Sequence, residues 1–325
     1  MREILHIAVL AICMRISVMS QKRWNTADIP DLSEKIVCIT GANSGLGLEA
    51  ARNLVGAGAH VIMACRNVEK AEVAAQSLRP GVNNGSGSVE VRQLDLSSLA
   101  SVRRFSEQLL ADGIELDGLM NNAGLMALDQ SRTEDGFETQ IGVNHLGHFA
   151  VTGLLLPSLL KRPNSRIVNV SSMGHIPGKI HLDDLMCDQR RYSRWGAYFQ
   201  SKLANILFTN ELERRLRETQ STTIALAAHP GTARTELGKT GTSATNFVMR
   251  RLTPVLTRTG VQGCESQVRA MVDPQATGRE YYGPKYQMFG APVKVTPSKR
   301  ARNMSDARRL WEISEELTGV KYPFE

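Results

Sequence analysis

The sequence predicts an α/β protein: a doubly wound parallel sheet of seven strands with helices on both faces. Three observations carry this. From Ile36 onward, short β-rich apolar runs alternate with helical patterns, the order that βαβ units produce. The first run leads into a cluster of small residues that opens a helix, Thr40-Gly41-Ala42-Asn43-Ser44-Gly45-Leu46-Gly47. The length, 325 residues, is one that such sheets reach as a single domain.

Taken in order, the apolar runs place strands at 36–40, 60–65, 89–94, 116–121, 166–171 and 222–228, with a short one at 279–282. Helical patterns fill the intervals at 46–57, 68–78, 99–111, 137–160, 198–217 and 260–272. Right-handed parallel connections then put a crevice at the carboxyl ends of the strands, where ligands bind. Two stretches fit no βαβ unit, 174–195 and 237–259. Both follow strands on the carboxyl side, so they are read as substrate-lid segments. Residues 81–88 read as a surface loop, and there is no internal repeat.

Composition excludes several classes. The chain is 42% hydrophobic and 22% charged, ordinary values for a globular protein. The net charge of +7 is spread along the chain; its densest groups, Arg190, Arg191 and Arg194 and then Lys299, Arg300 and Arg302, read as solvated surface rather than a nucleic-acid track. The five cysteines form no CxxC and no metal spacing, and Cys38 and Cys65 fall inside apolar strands, which points to a reducing, cytoplasmic setting. Residues 4–19 are mostly apolar, but Arg15 interrupts them, and the run falls short of the roughly 20 residues a span needs. The reading is therefore an N-terminal extension over 1–28 and a single domain over 29–325. Membrane attachment through 4–19 is the alternative, as is a working start at Met19.

In the turn after the first strand, small residues let the backbone approach a pyrophosphate, and the helix N-terminus favours its charge. The spacing is GxxxGxG, with Gly41, Asn43, Ser44, Gly45, Leu46 and Gly47 as the cofactor-binding residues. An NAD site would place an acid about 20 residues downstream to bind the ribose 2′-hydroxyl. Here the second strand ends Ala64-Cys65-Arg66. Arg66 suits the 2′-phosphate of NADP, which its planar fork can clamp; an exposed strand-end arginine is the plainer reading.

Tyr198 and Lys202 lie four apart in a helical pattern and so share a face. A nearby ammonium favours the phenolate, so the spacing lowers the pKa of a group that is otherwise a poor acid/base at neutral pH. Tyr281 and Lys285 repeat the spacing, but Gly283-Pro284 between them breaks any helix, and that pair is rejected. Upstream, Arg166-Ile-Val-Asn-Val-Ser-Ser172 reads as a buried strand delivering hydroxyls to the carboxyl edge. There Ser172 can bond a substrate carbonyl while Tyr198 donates a proton; a strand-end cap is the alternative.

Taken with Asn121-Asn122-Ala123-Gly124 and Asn144, these residues resemble the classical short-chain dehydrogenase/reductase family, with its Rossmann-type fold, over about residues 30–290. Gly142-Val-Asn-His-Leu-Gly-His-Phe149, Ser201-Lys-Leu-Ala-Asn205 and His229-Pro-Gly231 resemble its retinol-dehydrogenase-like branch. The resemblance implies hydride transfer between NADP(H) and a carbonyl or alcohol carbon, of a lipophilic, retinal-like aldehyde or ketone. Tyr198 would move the proton, Ser172 orient the oxygen, Lys202 hold the nicotinamide ribose, and Asn144 support a water relay to Lys202. It also implies that Asp95 meets the adenine, Asn122 the adenosine ribose and Thr235 the nicotinamide amide, although Asp95 reads equally as a helix N-cap and Thr235 as a loop residue. Subunit contact would use the 198–217 helix and its neighbour, in a homo-oligomer.

His145 and His148 have no third ligand beside them, so no metal site is expected. Ser172 and Tyr198 are separated by 25 residues, a longer insert than the commonest family pattern, which the retinol-dehydrogenase-like branch shares. Its Tyr192, Arg194 and Trp195 are expected to shape the pocket. An amphipathic pattern near 311–317 suggests a tail helix at the substrate mouth or an interface. Two other functions fit the same motifs: NADPH-dependent reduction of a carbon-carbon double bond, and a noncatalytic NADP-sensing module.

Overall fold

A computed structural model describes residues 24–79, 87–231 and 260–324. The apolar run at 4–19 of the expected extension and the lid at 237–259, with Thr235, lie outside the described residues. The chain runs β1 (Ile36–Thr40), α1 (Gly45–Gly56), β2 (His60–Cys65), α2 (Val68–Gln76), β3 (Ser88–Gln93), α3 (Leu99–Ala111), β4 (Gly118–Asn121) and α4 (Thr139–Leu160). It continues through β5 (Arg166–Val170), α5 (Arg194–Glu218), β6 (Ile224–Ala228), α6 (Gly260–Val272), β7 (Tyr281–Pro284), β8 (Pro292–Val295) and α7 (Met304–Thr318). The sheet order is β3-β2-β1-β4-β5-β6-β7-β8. All neighbours are parallel except β7 and β8. The seven expected strands are present; the eighth was missed because Pro292–Val295 is a four-residue antiparallel edge whose pairing is decided by a hairpin, not by its own pattern.

Side-chain alternation along each strand feeds two cores, one per face. Val37 and Ile39 of β1 join Val61, Met63, Met120, Val168 and Leu226 under α1, α2 and α6. Cys38 points the other way, with Ile62, Leu119, Ile167 and Ala225, under α3, α4 and α5. The order reverses between β1 and β4, so the crevice at their carboxyl ends lies at the switch point.

Two helices depart from their sequence patterns in ways that matter to the site. α4 contains a π turn at Gly142–Leu146, which places Asn144 in the widened turn. α5 starts at Arg194, before the expected 198, because the Ser193 hydroxyl accepts from Gly196 N at 3.2 Å and caps the helix there. α4 is the one helix among the described residues long and apolar enough to cross a membrane, yet 83% of its apolar window is buried inside the protein, as a core helix would be.

The tail is longer than its amphipathic pattern suggested. Asn303 caps α7 by accepting from Ser305 N at 3.0 Å, and Gly319 ends it at φ +62°. Trp311, 1% exposed, lies edge-on to Phe149 at 5.0 Å and under the Arg215 guanidinium at 4.5 Å. The Tyr322 hydroxyl donates to Phe149 O at 2.7 Å, and its ring occupies the space that a Cβ on Gly153 would need. The tail thus lies over α5 and α4, and every residue from 201 to 213 is buried. Trp24, read from sequence as part of the extension, packs on the first core and lies beneath Arg269.

Replacing Trp311 by Ala is expected to cost about 3–5 kcal/mol, because the cavity lies among Phe149, Phe208 and Tyr322 and cannot easily collapse. Urea titration should show a lower midpoint with an unchanged slope; an unchanged midpoint would contradict this account of the tail.

Candidate active site

The turn after β1 has the geometry an anion requires. Gly41 and Gly45 hold φ of +65° and +54°, a region that favours glycine. A Cβ on Gly47 would lie 2.4 Å from Gly41 O and 2.5 Å from Asn122 Nδ2, so only glycine fits beneath the turn, whereas a Cβ on Gly45 would meet nothing within 4 Å. Ser44 stands at the N-cap and makes no capping bond, and no acid occupies the first turn of α1, so its N–H groups remain free for an anion. The N–H groups of Ala42 and Asn43 turn inward to the Cys65 thiol, whose pKa burial nevertheless pushes up to about 11. Residues 44–47 thus carry the open side of the turn. Arg66 is exposed directly after β2. The turn fits the pyrophosphate of a dinucleotide.

Asn122 works from below. Its amide donates to Thr40 O at 2.8 Å and Gly41 O at 3.4 Å, and its oxygen accepts from Gln267 Nε2 at 2.9 Å. Both amide protons are engaged, so the side chain braces the turn. Asp95 is not the N-cap of α3, a place taken by Ser98; its Oδ1 accepts from Ser97 N at 2.9 Å and Ser97 Oγ at 2.6 Å, an Asx turn beside the crevice.

Ser172, Tyr198 and Lys202 converge just beyond β5. Tyr198 is 6% and Lys202 5% exposed, one turn apart on α5, with the ammonium 6.0 Å from the ring centroid. Lys202 Nζ donates to Val170 O at 3.2 Å. Burial lowers its pKa to about 8. Burial also raises the pKa of Tyr198, and a hydrogen bond from Ser172 opposes it without reversing it. In the chain alone burial dominates both groups: each charged form loses hydration, which raises the tyrosine and lowers the lysine.

Ser172 caps the short turn Met173–His175, accepting from Gly174 N at 3.1 Å. Asn144 is clamped by Leu125: its oxygen accepts from Leu125 N at 2.7 Å, and its amide donates to Leu125 O and Ser201 Oγ, both at 2.9 Å. Ser201 in turn donates to Tyr198 O at 2.8 Å. A Cβ on Gly124 would lie 3.2 Å from Lys202 Nζ and 3.3 Å from Asn144 Oδ1, so glycine there lets the two groups face a common gap.

In the 174–195 insert, the three expected pocket residues differ in role. Tyr192 is held away by its hydroxyl, which accepts from Gln140 Nε2 at 2.9 Å and has Glu138 Oε1 and Leu128 O at 3.1 Å. Arg194 pairs with Asp129. Trp195 reaches the site, its ring edge-on to Tyr198 at 6.1 Å and tilted over Phe199 at 5.7 Å. His148 bridges Asn144 O (3.1 Å) and Thr40 Oγ1 (2.8 Å), and His145 bonds Ser314 Oγ at 2.8 Å. No group of potential metal ligands occurs among the described residues. Tyr281, from the rejected pair, sits on β7 with its hydroxyl 3.4 Å from His175 Nδ1. Sequence reasoning missed Gly174, His175 and Gln267 in this region; their only signal was proximity in sequence to Ser172 or to an apolar helix.

A glycine turn at the switch point of a parallel sheet, with a buried Tyr/Lys pair beside it, defines a nicotinamide-dependent oxidoreductase of α/β type. The family model for short chain dehydrogenase matches residues 35–246, and the chain belongs to that family. It is 45% identical to human retinol dehydrogenase 12 over 291 residues, covering 90% of this chain and 88% of that protein. It is 42% identical to human retinol dehydrogenase 11, covering 89% and 87%. Among solved structures, an uncharacterized protein from Mycobacterium Paratuberculosis superposes with a TM-score of 0.78 at 44% identity, covering 93% of this chain and 100% of that one. The Pseudomonas aeruginosa RhlG/NADP complex shares the fold at 21% identity and TM-score 0.60, covering 77% and 94%. The chain is an oxidoreductase acting on CH-OH or C=O groups of a small molecule with a nicotinamide cofactor.

Gly47→Ala is expected to raise the dissociation constant for the nicotinamide cofactor at least about tenfold, some 1.4 kcal/mol, as the new methyl meets Gly41 O. Fluorescence titration, with circular dichroism to verify folding, measures it; an affinity within twofold of wild type would refute the account of the turn.

Proposed function

We propose that the chain is an NADP(H)-dependent carbonyl/alcohol oxidoreductase for a lipophilic, retinal-like aldehyde or ketone, with Ser172, Tyr198, Lys202 and Asn144 as its catalytic set. The observation that carries this reading is the buried meeting of Tyr198 with Ser172 above Lys202 at the carboxyl end of β5. The lipophilic substrate is supported by the names of the retinol dehydrogenase relatives and by the half-buried Trp195 and Phe199 beside Tyr198. NADP is supported by Arg66, which supplies a fork for a 2′-phosphate where an NAD site would carry an acid.

The bound cofactor supplies or accepts hydride at the reacting carbon. The backbone N–H groups of residues 44–47 would hold its pyrophosphate over the turn that Gly41 and Asn43 shape, with Asp95 toward the adenine and, by resemblance, Thr235 toward the nicotinamide amide. Tyr198 gives a proton to the substrate oxygen in reduction and takes one in oxidation. Ser172, whose oxygen accepts from Gly174 N–H and whose O–H meets Tyr198 in the chain alone, would turn that O–H to the charge developing on the substrate oxygen. Lys202 holds the ribose and, when charged, favours the phenolate. Asn144 faces the same gap as Lys202 and supports proton supply to it.

Burial keeps Tyr198 protonated at neutral pH. Reduction needs the phenol and is lost as pH rises through its pKa, while oxidation needs the phenolate and gains over the same range. Wild-type kcat/KM should thus fall in one direction and rise in the other on the alkaline side. Tyr198→Phe should lower turnover roughly 10²–10⁴-fold with cofactor binding kept. Retained turnover would exclude the acid/base role.

Arg66→Asp should shift preference from NADPH towards NADH in steady-state assays with a lipophilic aldehyde, and an unchanged NADPH/NADH ratio would remove Arg66 from the 2′-phosphate.

A further inference from the structure

We infer that His175 is a positioning residue that sets the orientation of Ser172 for proton transfer; this rests on the reading of Ser172 as catalytic. The imidazole is 2% exposed and is bonded at both nitrogens. Nδ1 lies 2.7 Å from Ser172 O, a carbonyl that can only accept, so Nδ1 carries the proton. Nε2 accepts from the backbone N–H of Ser298 at 3.1 Å, so it must present a lone pair. Both neighbours demand the same neutral tautomer, and burial, which lowers the pKa of this histidine, favours it too.

The ring therefore joins three parts of the chain. It holds the catalytic serine after β5, takes up a main-chain donor beyond β8, and stands edge-on to Tyr281 of β7 at 5.4 Å. His229, on the far side of Tyr281, lies against that ring at 5.1 Å. Among the described residues, the only other bond to Ser172 O is the His175 backbone N–H at 3.1 Å, which closes the turn but leaves it free to pivot. The imidazole bond removes that freedom. Since Gly174 N–H donates to Ser172 Oγ in the same turn, a pivot would move the hydroxyl away from Tyr198.

A double-mutant cycle tests the assignment. His175→Phe keeps the ring without its hydrogen bonds, and His175→Asn keeps a short donor toward Ser172 O. The expected result is that His175→Phe lowers kcat and kcat/KM together by roughly tenfold with the cofactor dissociation constant unchanged, and that His175→Asn recovers most of the loss. In the Ser172→Ala background, His175→Phe should cost no further activity, since the group it positions is gone. If His175→Phe lowers activity equally in both backgrounds, or if Asn and Phe fall alike, His175 serves packing only and the inference is overturned. Wild-type activity in His175→Phe with a strong loss in Ser172→Ala overturns it while sparing the catalytic reading. Wild-type activity in Ser172→Ala itself removes both.

Discussion

The hydroxyl of Thr40 stands where β1 and β4 part, and the site hangs on the bonds it makes there. It accepts from Asn122 N at 2.9 Å and Ala123 N at 3.0 Å, tying the end of β4 to the start of the phosphate turn. Because both strand ends must stay open for a ligand, their backbone groups cannot pair with each other, and a buried hydroxyl satisfies them instead. The same oxygen meets His148 Nε2, whose Nδ1 donates to Asn144 O in the π turn. Asn144 clamps Leu125 and passes through Ser201 to the backbone of Tyr198. The glycine turn after β1 and Tyr198 are thereby parts of one hydrogen-bonded body.

Burial then sets the electrostatics. Lys202 at about 8 and a raised Tyr198 are each consequences of removing a charge from water. An anionic or polar ligand in the crevice changes that balance in one direction, by favouring the ammonium. The same crevice is bordered by the uncapped N-terminus of α1 and the exposed Arg66, both of which favour negative charge.

The tail and the insert divide the remaining work. α7 and Tyr322 close the second core and reach the π turn through Ser314 and His145, so the stability of the fold and the placement of Asn144 share a support. The insert is pinned by Tyr192 and Arg194 on one side while Trp195 approaches Tyr198 on the other.

The sequence alone determined what local periodicity and local chemistry can encode. Residues 99–111 and 260–272 were legible as helices because their apolar spacing repeats within the segment, and β1 with Gly41–Gly47 was legible because strand, turn and helix are contiguous. Tyr198 and Lys202 were legible because one helix turn relates them; Tyr281 was set aside because it lacks that turn, though the sheet carries it to His175. Only the tertiary structure decided the eighth strand, the π turn, the tail over α5, the two-sided engagement of Asn122 and the clamp of His175 on Ser172. The tail over α5 and the engagement of Asn122 join residues far apart in the chain; the π turn, the eighth strand and the bond from His175 to Ser172 are short in sequence, but their geometry is fixed only once the elements around them have packed. The pKa values belong to the same class, since they follow from the water that packing excludes.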